Sequence, residues 1–135
     1  MERAKYHFLL SNRNDENIIK IIEFTEYLLA NDLSSARQLK YFYTLKTIER
    51  NFNKIFTKAT KKDIEKFVSW INTSDYEYWT KRDFKIILKI FYKWLREEEG
   101  YDFSKYEYPA EVKWINTGKK QNKKNFLMNF LMPEM

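Results

Sequence analysis

Cysteine is absent from these 135 residues, so disulfides, thiolate metal sites and cysteine nucleophiles are all excluded. Histidine occurs once, at His7, which removes a Ser-His-Asp triad and a His-rich zinc site unless that residue folds back from the start of the chain. Glycine stands only at positions 100 and 118, too sparse for a phosphate-cradling loop. With only two prolines as well, and abundant Lys, Ile, Leu and Phe, the composition predicts a mainly helical protein. No apolar run approaches the ~20 residues that span a bilayer. Phe8-Leu9-Leu10 is too short for the core of a signal peptide. The expectation is a cytoplasmic protein with no cofactor, no metal, no membrane partner and no small-molecule substrate.

Charge is what the chain does have. The formal net charge is +6, a moderate excess that many soluble proteins share. Its distribution says more. Residues 34–62 hold Arg37, Lys40, Lys46, Arg50, Lys54, Lys58, Lys61 and Lys62 against a single acid, Glu49, whereas residues 1–33 carry more acids than bases. Such segregation favours an anionic partner.

Hydrophobic periodicity divides the chain into a flexible lead (1–14), a helical domain (15–117) and a basic linker with an apolar tail (118–135). A first helix from Asp15 to about Ala30 has a broad apolar face of Ile18, Ile19, Ile21, Ile22, Leu28 and Leu29. Ser34 or Ser35 caps a second helix running to about Phe56. Its core side holds Tyr41, Phe42, Leu45, Ile48, Phe52, Ile55 and Phe56, while Lys40, Tyr43, Thr47, Arg50 and Lys54 step along the other side. Thr60 with Asp63 reads as a capping box opening a third helix on Ile64, Phe67, Val68 and Ile71. Thr80 with Asp83 repeats that pattern for a fourth, which Gly100 ends. In the fourth helix Arg82, Lys85, Lys89, Lys93 and Arg96 fall in a stripe roughly 80° wide, opposite Phe84, Ile87, Leu88, Phe91, Trp94 and Leu95. Tyr101 to Trp114, aromatic and containing Pro109, reads as an ordered extended segment laid over the bundle. There is no repeat at solenoid spacing.

A lysine-rich helix face is commonly just solvated. Two such faces in one small domain, one of them nearly free of acids, shift the balance toward nucleic acid. Glu97 and Glu99 fit a solvated helix end better than an acid–base pair. Most of the four tryptophans, ten tyrosines and eleven phenylalanines sit at core spacing; Tyr43, on the basic side of helix two, is the exception and could touch a sugar or base.

The order of elements resembles the N-terminal, SAM-like core-binding domain of tyrosine recombinases, the phage-type integrases and Xer-like enzymes. Lys81-Arg82-Asp83-Phe84 through Leu88-Lys89-Ile90-Phe91-Tyr92-Lys93-Trp94-Leu95 looks like the family's last core-binding helix. Ser34-Ser35-Ala36-Arg37-Gln38 looks like the start of the helix that meets DNA, and Thr60-Lys61-Lys62-Asp63-Ile64 like the entry to helix three. Tyr108-Pro109 with Lys119 to Lys124 is similar to archaeal integrase-type members. The resemblance implies an all-α, four-helix bundle-like domain with an extended C-terminal segment, forming half of a clamp on double-stranded DNA. It carries DNA contacts onto Ser35, Arg37, Gln38, Lys40 and Thr44, onto Lys81, Arg82, Lys85 and Lys89, and onto Lys119, Lys120, Lys123 and Lys124. The basic walls themselves add Tyr43, Thr47, Arg50 and Lys93.

The family's catalytic Arg, His-x-x-Arg and nucleophilic Tyr have no counterpart here, as in a truncated, frame-disrupted or excised recombinase. DNA binding without strand cleavage is therefore expected, with recombinase protomers as further partners. Two alternatives stay open. One is a helical protein-interaction module or homodimer using the apolar tail, Phe126 to Met132; the other is RNA binding through the same walls.

Overall fold

The computed structural model describes residues 15–117, and within them every regular element is helical. Helix α1 spans Asp15–Ala30, α2 Ser35–Phe52, α3 Lys61–Thr73, α4 Tyr78–Glu98 and the short α5 Ala110–Lys113, with one 3₁₀ turn at Phe56–Lys58. The protein is all-α. No described helix is long and apolar enough to cross a membrane.

Helix α1 buries Ile18, Ile21, Phe24 and Leu28, a stripe of threes and fours. The face is narrower than the sequence suggests, because Ile19 and Leu29 are turned to solvent. Helix α4 is the central rod, packing on α1, α2, α3 and α5. Its Phe91 meets Phe24 edge-on at 5.4 Å and Phe56 at 5.1 Å between ring centroids, so three elements converge on one aromatic centre. Each such ring taken out of water contributes roughly 1.5–3 kcal/mol.

Phe56 reaches that centre because α2 stops early. The expected end near Phe56 is wrong by one turn: Asn53 adopts a left-handed conformation (φ 61°) that asparagine tolerates, and the chain turns back. The 3₁₀ turn then carries Phe56 inward, completely buried. Asn17 of α1 secures this corner. Its amide donates to the Lys54 carbonyl at 2.8 Å and its side-chain oxygen accepts from the Phe56 N–H at 2.8 Å. The Tyr92 hydroxyl of α4 donates to the Phe56 carbonyl at 2.8 Å, and burial pushes that phenol far above its ordinary range.

Ser34 caps α2, its hydroxyl accepting from the Arg37 N–H. The capping box of α3 forms as read, with Thr60 and Asp63 exchanging hydrogen bonds. The hydrogen bond from the Thr60 N–H holds the Asp63 carboxyl below its ordinary value; the Thr60 hydroxyl and the charges of Lys54 and Lys66 act in the same direction, against partial desolvation. A depressed carboxyl stabilises the fold above its ordinary pKa, and the gain disappears as pH falls through its folded value. Thermal melts should therefore show Asp63→Asn less stable than the parent near neutrality and equal to it in strong acid. A gap that persists unchanged into acid would show that the carboxylate charge plays no part.

The second Thr-x-x-Asp signal does not form a cap. Helix α4 begins at Tyr78, two residues before Thr80, with Glu77 at the cap position making no side-chain cap bond. Asp83 instead faces α2 and pairs with Lys40. At the other end Gly100 takes φ 107° and its N–H meets the Glu97 carbonyl, while the Tyr101 N–H reaches Arg96. This is a Schellman ending, with glycine where a left-handed residue is needed. The segment beyond it returns along α4, as expected, and gains one turn of helix after Pro109 that plants Val112 and Ile115 in the core.

Candidate nucleic-acid interface

Helix α2 uses Gln38, Tyr41, Phe42, Leu45, Ile48, Glu49 and Phe52 for its buried side. That selection decides what remains outside. Ser35, Arg37, Lys40, Tyr43 and Arg50 are exposed, and Thr44, Lys46 and Thr47 are half-buried beside them. The Thr47 hydroxyl donates to the Tyr43 carbonyl one turn back, so its polar group is partly engaged by its own helix. Lys46, which the sequence-based site omits, lies with its ammonium 5.8 Å from the Tyr43 ring centre. Burial and then the Arg50 charge lower its pKa. Its spacing of three from Tyr43 and four from Arg50 was the available signal.

Gln38 requires correction as a DNA contact. It is 2% exposed and its amide donates to the Thr25 carbonyl of α1. Its position, three before Tyr41 and four before Phe42, belongs to the core stripe. Glu49 goes inward for the same reason and is 8% exposed. The lone acid of residues 34–62 is thus withdrawn from the surface that carries the cations.

Helix α4 divides into two halves. Lys81, Arg82 and Lys85, near its start, are half-buried. Lys81 donates to the Asn72 carbonyl at 3.1 Å, and Arg82 stacks its guanidinium 5.7 Å from the Trp79 ring centre. Burial, followed by the charge of Lys81, lowers the pKa of Lys85. No salt bridge within 4 Å involves these three among the described residues.

The second half is committed to the fold, and its residues need a second correction. The Lys89 ammonium donates to the Ile115 carbonyl, and Lys93 to those of Ser104 and Lys105, at 2.8–3.2 Å. The Tyr108 ring lies against both ammonium groups, 4.8 and 5.1 Å from its centre. Arg96 donates to Glu111 at 2.6 Å, to the Thr57 carbonyl and to Glu99. The returning segment therefore covers the stripe that looked like an open wall. Lys89 and Lys93 hold that segment, and their long stems allow the ammonium to reach carbonyls that sequence alone does not place nearby.

The two helices meet through the exposed Lys40 and the half-buried Asp83, 2.7 Å apart across the α2–α4 seam. Lys40 is consequently compensated by an acid of another helix. Lys119, Lys120, Lys123 and Lys124 lie outside the described residues, as do the lead and the apolar tail. No group of three or more His, Asp or Glu side chains able to hold a metal ion occurs among the described residues. No family model, curated protein or solved structure matches this chain.

Proposed function

We propose that this chain binds duplex DNA through the outer wall of α2, extended by the first turns of α4, and performs no strand chemistry of its own. In its specific form it is the core-binding half of a tyrosine-recombinase-type clamp acting in the cytoplasm, with recombinase protomers as additional partners. One observation carries the reading. Glu49 is buried, so the solvent side of α2 presents Arg37, Lys40 and Arg50 with no acid of its own helix among them.

Arg37 and Arg50 are thirteen positions apart, about 20 Å along a helix. A B-form major groove, about 12 Å wide, admits a helix of this kind. The major groove of A-form RNA is deep and narrow, which favours DNA. Phosphate contacts supply most of the affinity, while Ser35, Thr44 and Tyr43 are placed for the less frequent contacts to bases or sugars.

If about five phosphates are neutralised, log K falls against log salt with a slope of roughly −4 to −5. Without a clamp partner the dissociation constant should lie around ~10⁻⁴ to 10⁻⁶ M. Fluorescence anisotropy with a labelled duplex at low ionic strength, competed by duplex RNA, tests this. Absence of binding, binding indifferent to salt, or preference for RNA would each defeat the proposal.

A further inference from the structure

We propose that the corner between α3 and α4 is a stacking platform for unpaired nucleotides, with Trp79 as its base-binding surface and Arg82, Lys81 and Lys85 as its phosphate-binding side. The inference rests on the nucleic-acid reading of those three cations and adds to it a preference for single-stranded DNA next to duplex.

Trp79 is the first observation. It is 55% exposed in the first turn of α4, although indole is among the most costly side chains to leave in water. The loop that leads to it is anchored in the core. In the loop before it, the Tyr76 ring lies 6.2 Å from Trp70 of α3 and 5.1 Å from the buried Phe84 of α4. Tyr78 meets the Trp79 ring edge-on at 4.9 Å. With Arg82 over one side and Tyr78 at an edge, more than half of Trp79 stays open to a base.

Arg82 is the second. Its guanidinium lies over the Trp79 ring, and its Nε is buried yet finds no hydrogen-bond partner. That nitrogen is covered as the side chain stands, so an anionic oxygen would complete it once the guanidinium turns outward. Lys81 and Lys85 stand one turn apart, and burial, followed by the Lys81 charge, disfavours the charged form of Lys85. A phosphate relieves that repulsion, whereas an apolar protein surface would increase it. Asp75 and Glu77 also belong to this corner, and Asp83 is held by Lys40. Neither Asp75 nor Glu77 forms an ion pair with the three cations among the described residues.

Aromatic stacking beside cations is how single strands are held without sequence preference. An exposed indole in contact with arginine also occurs in protein interfaces. Adjacent cations that form no salt bridge among the described residues make a polyanion with exposed π faces the better match.

The test uses the full chain and three probes: a blunt duplex, the same duplex with an oligothymidylate overhang, and one with an abasic overhang of equal charge. The thymidylate overhang should bind roughly tenfold tighter than the abasic one, and oligothymidylate alone should quench tryptophan emission. Trp79→Ala should erase both effects while leaving the blunt duplex unchanged. Trp79→Phe, which keeps a π face, should retain part of the preference. Equal affinity for thymidylate and abasic overhangs, or an equal loss on all three probes in Trp79→Ala, overturns the platform. So does a dimer that dissociates on Trp79→Ala. Binding of the blunt duplex reports on α2 and the cations at the start of α4, and the thymidylate-to-abasic ratio on the Trp79 ring, so the platform can fail while the duplex reading stands.

Discussion

Replacing Arg37 and Arg50 together by glutamate is expected to lower duplex affinity by on the order of a hundredfold or more and to reduce the salt slope by about two. Both side chains are exposed on the α2 wall, and neither forms a salt bridge within 4 Å among the described residues. Their substitution removes phosphate attraction and adds repulsion, with little effect on folding. Lys40→Glu should cost less, because Asp83 already compensates Lys40 at 2.7 Å. Lys20→Glu, on α1 beside Glu23, should cost least. Anisotropy titrations at several salt concentrations distinguish these variants. Should Lys20→Glu weaken binding as much as the double change, α2 is not the wall that meets DNA.

Arg96→Ala should destabilise the fold by about 3–5 kcal/mol, and at most slightly alter DNA affinity in the protein that remains folded. The Arg96 side chain is only 12% exposed and Glu111 19%, so the pair at 2.6 Å is largely removed from water. The same guanidinium bonds the Thr57 carbonyl behind the 3₁₀ turn and lies over the ring of Tyr92. Removing it leaves the Glu111 carboxylate in a poorly hydrated place and frees the returning segment from α4. For a domain of this size the midpoint of thermal unfolding should drop by roughly 10–30 °C. Arg96→Met combined with Glu111→Gln should recover much of that loss, since a buried pair stabilises far less than breaking it costs. A stable Arg96→Ala protein with sharply weaker DNA binding would return this residue to the interface.

These contrasts separate two kinds of information. Helical content, the capping box at Thr60 and Asp63, the glycine stop at Gly100 and most of the core were readable residue by residue. Each depends on neighbours within one or two turns, where spacing fixes geometry. The errors had more distant origins. Asn53 ended α2 because a left-handed residue suits the burial of Phe56, and Thr80 yielded its cap role once Asp83 was drawn to α2. The misplacement of Gln38 came from favouring its polarity over its position in the 38, 41, 42, 45 stripe.

The amphipathic period by itself determined that cations would gather opposite the apolar side of two helices. Which of them meet solvent was decided only when the chain beyond Gly100 doubled back over α4 and gave Lys89, Lys93 and Arg96 carbonyls and a carboxylate to hold. A helical face is set by backbone rotation among neighbours. Its covering is set by contacts between residues eleven to thirty-nine positions apart, and periodicity carries no information about those.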